Sequence, residues 1–213
     1  MLRRIADDQF SVEVESPAAA QALARVLREA GGWSELVPGI NSVVVQFDIA
    51  TRDAEDVECE LGELLLRDAP LLANSATVLE IPVLYGGDAG PDLDEVCALL
   101  GLSQDEFIAL HTDGEHVVEM LGFTPGFAFI GGLDKRLNVP RRAAPRTLVP
   151  AGSIAVADSR TGLYALSSPG GWQLVGRTPE IYFDISASEP SMLDAGMRIR
   201  FRAITQTEFD AWN

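Results

Sequence analysis

Apolar positions along the first 85 residues switch between a period of two and a period near 3.6. "FSVEVE" (10–15) alternates, as a half-buried strand does. "SPAAAQALARVLREAGG" (16–32) follows with helical spacing. Ser16 stands at the N-cap, Pro17 at the first helical position and Gly31 at the stop. After a short piece from Trp33 to Val37, "PGIN" (38–41) reads as a turn into the strand "SVVVQFD" (42–48). A second amphipathic helix covers 52–67, and "ATVLEIPVLYG" (76–86) makes a further strand.

The resulting order, β-α-β-β-α-β, is the split arrangement of ferredoxin-like folds and predicts an α+β domain over residues 1–86. Two short helices follow, "PDLDEVCALLGL" (91–102) and "SQDEFIALH" (103–111). Ser103 caps the second, with Asp105 and Glu106 in its first turn. From residue 115 the pattern breaks into short runs such as "FAFI", "SIAVA" and "GWQLVG". Nine glycines and five prolines punctuate residues 122–176, and "RIRFRAI" (198–204) alternates again. Short strands with frequent turn signals predict a mainly-β barrel or sandwich over residues 87–213, with the two helices attached to it.

Composition changes this picture little. The chain has 213 residues, 47% of them hydrophobic and 23% charged, an ordinary globular balance. The longest apolar runs, "VVV" (43–45) and "LLL" (64–66), fall far short of a membrane span. "MLRRIADDQF" lacks the apolar core of a secretion signal, so a cytoplasmic protein without a membrane partner is expected. Cys59 and Cys97 sit on predicted helices without CxxC spacing and read as reduced, partly buried thiols.

Charge is more informative. The net charge of −16 argues against nucleic acid as a partner. Residues 135–179 nevertheless carry seven basic side chains against Asp158, a window of +6 in a remainder of −22. Such an island is either an anion site or a face whose arginines are paired with the chain's own acids.

Several chemistries are missing from the chain. It has no GxxxxGK[ST] loop, no GxGxxG after a strand, no GxSxG elbow, no HExxH and no Met-Lys-Met biotinylation signal. Three segments of the second half are richer. In "LGFTPGFAFIGG" (121–132), Phe123, Phe127 and Phe129 are most simply core, while Gly126 lets a ligand approach the backbone. In "PRRAAPRTLVPAGS" (140–153), Arg141, Arg142 and Arg146 lie between stiffening prolines, a pattern suited to gripping carboxylate or phosphate. In "SPGGWQLVGRTP" (168–179), Pro169, Gly170 and Gly171 suggest a tight turn whose backbone N–H groups form an anion nest. Trp172 packs beneath that turn, Gln173 faces the other side, and a bend at Gly176 brings Arg177 to the same cavity. His111 ends a helix close in sequence to the first segment. It is a candidate general base, set against the commoner structural role of a lone histidine.

Taken in order, "IPVLYGGDAGPDL" (81–93), "LH" ending at His111, "LGFTPGFAFIGGLD", "PRRAAPRTLVPAGS", "TGLY" and "SPGGWQLVGRTP" resemble the KipI family. Its members are also called the B subunit of 5-oxoprolinase, or allophanate hydrolase subunit 1. The strong matches cover residues 81–179, and "VPGINSVVVQFD" (37–48) adds a weaker one. The resemblance implies a ferredoxin-like domain followed by a cyclophilin-like β-barrel. It also implies a partner, the KipA-type or C subunit of 5-oxoprolinase. Together with the A subunit of that enzyme, the pair carries out the ATP-dependent opening of 5-oxoproline to glutamate. Two alternatives travel with the family: half of a biotin-dependent urea or allophanate-type carboxyltransferase, and inhibition of a histidine kinase. Under the leading reading His111 and Gln173 are the catalytic candidates. Arg141, Arg142, Arg146 and Arg177, with Gly126, Gly170 and Gly171, bind a small anionic substrate. The chain by itself is expected to be inactive.

Overall fold

The computed structural model describes residues 1–66 and 78–212. The chain divides into two compact units, Met1–Ala73 and Asn74–Asn213.

In the first unit β1 (Leu2–Ala6), β2 (Gln9–Glu13), α1 (Pro17–Ala30), β3 (Glu35–Pro38), β4 (Ser42–Gln46) and α2 (Ala54–Leu65) follow one another. The strands form an antiparallel sheet in the order β1-β2-β4-β3. Alternation decides its buried face: Phe10 and Val12 on β2 and Val43 and Val45 on β4 point to one core. Ala20, Leu23, Ala24 and Leu27 of α1 and Val57, Leu61 and Leu64 of α2 fill that core from the helices. Ser16 caps α1 as expected, its hydroxyl accepting from the Ala19 N–H at 3.2 Å, and Gly31 ends the helix at φ 74°.

The second unit contains β5 (Val78–Tyr85), α3 (Leu93–Leu100), α4 (Gln104–Thr112), β6 (His116–Leu121), β7 (Ala128–Gly131), a 3₁₀ turn (Lys135–Leu137) and β8 (Arg146–Val149). It continues with β9 (Ser153–Ala157), β10 (Arg160–Tyr164), β11 (Ser168–Gly170), β12 (Gln173–Arg177), β13 (Arg198–Ala203) and α5 (Gln206–Asp210). Seven strands close a barrel in the order β10-β7-β6-β13-β5-β12-β9, and β8 pairs with β11 in a separate ribbon. The barrel is mixed, since β13 runs parallel to β5 while the other pairings are antiparallel.

This arrangement corrects the sequence reading in two places. The strand expected to complete a βαββαβ domain is β5, which pairs with β12 and β13 of the barrel. Residues 78–86 therefore go with the barrel unit, and residues 76 and 77 of the expected strand lie outside the described residues. Strand β1, which alternation does not single out, takes the outer place beside β2. The apolar run of β5 marks a strand but not the sheet that receives it. In place of the tight turn expected at Pro169 to Gly171, Ser168–Gly170 is strand paired with β8. Helices α3 and α4 do belong to the barrel unit, packing Leu93, Val96, Cys97 and Phe107 into its core. The capping box at Ser103 and Glu106 is complete. Cys97 is buried and Cys59 exposed.

Candidate functional site

The three unusual segments of the sequence converge on one cavity of about 280 Å³ in the barrel unit. Phe127 is its aromatic hub. The ring meets Phe123 at 5.5 Å, Phe129 at 4.8 Å, Tyr164 at 4.8 Å and Trp172 at 5.9 Å between centroids, all near edge-to-face. Phe123 differs from the others. It lies in the β6–β7 connection at φ 73° and is 65% exposed, a costly conformation for a bulky residue that leaves its ring among the cavity's lining.

Arg141, Pro145, Gly170 and Gly171 complete the lining. The Arg141 guanidinium lies over the Trp172 ring, 5.6 Å from its centroid, a cation–π arrangement. Its Nε donates to Asp158 Oδ2 at 3.2 Å, and among the described residues its terminal amino groups have no protein partner. Burial pushes the Tyr164 phenol up, and the Trp172 backbone and the charges of Arg141 and Arg146 pull it back down. The site therefore joins a flat apolar box to one guanidinium with free donors. That combination suits a small planar ring carrying an anionic group.

The other predicted residues are placed differently. Arg142 and Arg146 turn to Asp92, a side chain 4% exposed. Arg142 Nη1 donates to Asp92 Oδ1 at 2.8 Å and Arg146 Nη2 to the same oxygen at 2.6 Å. Arg136 pairs with Asp134 and Arg160 with Glu119, so much of the basic window is neutralised by the chain's own acids. Gln173 Nε2 donates to the Pro140 carbonyl at 3.1 Å. Arg177 donates from Nε to the Ala151 carbonyl at 3.0 Å and lines a second, more polar cavity of about 480 Å³ with Glu180, Phe209 and Trp212. β12 does shift register between Leu174 and Gly176, yet Arg177 is held at the Ala151 carbonyl and is not among the residues lining the cavity of Gly170 and Gly171.

The glycines have steric roles. Gly126 sits at φ 74°, and a Cβ there would lie 2.7 Å from Phe183 Cβ and 2.9 Å from Ala165 Cβ, so close packing holds that place. A Cβ on Gly170 would strike the Tyr164 hydroxyl. Gly171 borders the cavity itself.

His111 is fully buried, away from the cavity lining. Its Nδ1 bonds the Tyr85 hydroxyl at 2.6 Å and its Nε2 the Thr161 hydroxyl at 2.9 Å. Phe201 stacks on the ring at 4.4 Å, and His116 donates to the His111 carbonyl at 2.8 Å. Burial, and then the neighbouring His116, hold His111 well below its ordinary value, so the ring is neutral with both nitrogens engaged. Burial also pushes the Tyr85 phenol far up. Nothing in this cluster lines the aromatic cavity.

Asp92 escapes the sequence reading. An acid in "GPDLDEV" looks like a helix cap, and the basic window offers no hint that its counter-ion lies some fifty residues upstream.

The barrel unit thus combines a closed mixed barrel with an arginine set over an aromatic box. The family model "Carboxyltransferase domain, subdomain C and D" matches residues 2–193. A relative from Bacillus subtilis (strain 168), named as the B subunit of 5-oxoprolinase, is 40% identical over 191 residues, 85% of this chain and 80% of its own. A relative of the same name from Escherichia coli O157:H7 is 43% identical over 170 residues, 78% of this chain and 76% of its own. Among solved structures, TTHA0988 superposes with a TM-score of 0.80 at 34% identity over 96% of this chain, which spans 41% of that longer one. The chain belongs to the KipI family, the family of 5-oxoprolinase B subunits. Among the described residues no helix is long and apolar enough to cross a membrane.

Proposed function

We propose that the chain is the B subunit of an ATP-dependent 5-oxoprolinase, working with a KipA-type C subunit and an A subunit to open 5-oxoproline to glutamate. The observation that carries this reading is the aromatic cavity with the Arg141 guanidinium over Trp172. 5-Oxoproline is a flat five-membered lactam with one carboxylate. Its ring suits the faces of Phe127 and Trp172, and its carboxylate suits the free amino groups of Arg141. The names of the curated relatives support the same assignment.

In this account the chain binds and orients the lactam, and ATP is used together with the partner subunits. The neutral, enclosed His111 takes no proton from the substrate, and Gln173 acts on the loop through the Pro140 carbonyl. The chain alone holds substrate without turning it over. Orientation against a fixed cation is a large share of what such a component supplies, since misplacement by about an ångström costs orders of magnitude in rate.

The test is ATP-dependent glutamate formation from 5-oxoproline by the three subunits, omitting each in turn. Turnover should vanish when this chain is left out. Turnover that survives its omission, or a folded complex that leaves 5-oxoproline untouched, would overturn the assignment.

A further inference from the structure

We propose that Asp92 is a positioning residue of the aromatic cavity, fixing both walls between which Arg141 and Trp172 meet. The proposal rests on the reading of that cavity as the substrate site. It begins with a helix end that is not capped. Asp92 occupies the N-cap position of α3, where an aspartate ordinarily accepts from the N–H groups of the first turn, yet its side chain makes no cap hydrogen bond. The carboxylate is turned away from its own helix and buried.

Its two oxygens serve two different segments. Oδ2 accepts from the Leu174 N–H at 2.6 Å while the Asp92 N–H donates to the Leu174 carbonyl at 3.0 Å, a reciprocal pair at the point where β12 is bulged. Oδ1 accepts from Arg142 and Arg146, which bracket the loop carrying Pro145. Arg142 closes the circuit, its backbone N–H donating to the Gly171 carbonyl at 2.7 Å. One buried carboxylate thus ties residues 140–146 to residues 171–174. These are the segments that supply Arg141 and Pro145 on one wall and Gly171 and Trp172 on the other.

Arg141 adjoins Arg142 in the chain, so the clamp on Arg142 sets where the Arg141 backbone starts. Two arginines brought together without Asp92 would repel. That repulsion would strain the remaining bonds that hold the loop near Trp172, from the Arg142 N–H to the Gly171 carbonyl and from Gln173 to the Pro140 carbonyl.

The measurement is steady-state turnover of 5-oxoproline by the complete complex, for Asp92→Asn, Arg142→Gln, Arg141→Ala and the Asp92→Asn/Arg141→Ala pair. Thermal unfolding reports whether each variant is folded. Arg142→Gln leaves Asp92 paired with Arg146, so it probes the clamp even where Asp92→Asn fails to fold. The proposal expects Asp92→Asn to raise KM about tenfold with kcat within about twofold, the size of effect that follows from weakening a single charged contact. Arg142→Gln should raise KM in the same direction, and adding Arg141→Ala to Asp92→Asn should bring little beyond Arg141→Ala alone. If Arg141→Ala raises KM but folded Asp92→Asn and Arg142→Gln do not, or if the effects simply multiply, the positioning role is wrong and the cavity reading stands. If Arg141→Ala itself leaves KM unchanged, the cavity reading falls and takes this proposal with it.

Discussion

Around His111, buried side chains bond and stack on one another, whereas around Trp172 five aromatic rings line a cavity beside an exposed guanidinium. Both clusters lie in the barrel unit, and both contain groups that catalysis often employs. They differ in what satisfies them. Each nitrogen of His111 already has a hydroxyl partner, and burial keeps the ring neutral. Arg141 has one donor committed to Asp158 and the rest available. His111 is thereby a core element, whereas Arg141 over the Trp172 indole keeps donors without a protein partner among the described residues. Availability, more than residue type, separates the two.

The contrast breaks most sharply at Asp92. Asp92→Ala leaves two arginines facing each other with their shared counter-ion gone, and should destabilise the protein by about 3–5 kcal/mol in urea unfolding. A loss under about 1 kcal/mol would mean that the triad is not a working part of the fold. Gly170→Ala comes next. Its methyl would collide with the Tyr164 hydroxyl, so about 1–3 kcal/mol should be lost and 5-oxoproline turnover should fall with it.

The histidine cluster predicts a pH dependence. Burial lowers both His111 and His116 below their ordinary value near 6.5, so the unfolded chain binds more protons than the folded one below that pH. Stability should be level above about pH 6.5 and decline as pH falls, by at most about 1.4 kcal/mol per unit for each histidine. Urea titrations from about pH 7.5 to about pH 5 measure this. A decline that persists unchanged in His111→Phe would place the cause elsewhere, in His116 or the carboxylates. The smallest effect concerns Arg177, which lines the second cavity. Arg177→Ala should change KM for 5-oxoproline less than about twofold, and a rise of about tenfold would move the substrate to that cavity.

Much of this arrangement is legible in the residues. The capped helix after Ser16, the strand read over 42–48, which runs over Ser42–Gln46, and the cap at Ser103 are local signals, and each is present. The unusual composition of "LGFTPGFAFIGG", "PRRAAPR" and "SPGGW" marks them out, and all three contribute to one cavity. Long-range choices are not legible. The apolar run of β5 reads the same whichever sheet receives it, so it fits the first unit as well as the barrel that holds it. A bend at Gly176 is expected to bring Arg177 to Gly170 and Gly171; β12 does shift register there, yet Arg177 bonds the Ala151 carbonyl and lines the second cavity. Arg142 and Arg146 look like ligand donors because their counter-ion, Asp92, is hidden in a helix start. Charge runs report that anions are needed and not whether the protein already supplies them.

The three tryptophans give the most direct test of where the substrate lies, because Trp33 belongs to the first unit, Trp172 to the aromatic cavity and Trp212 to the second cavity. Their indole N–H resonances, assigned by single Trp→Phe substitutions, would be followed while 5-oxoproline is added to the full chain, alone and with its partner subunits. The account predicts that the Trp172 signal moves with saturation, that Arg141→Ala removes the movement, and that Trp33 and Trp212 stay in place. Movement of Trp212 with a still Trp172, or no movement in a complex that turns over 5-oxoproline, would contradict it.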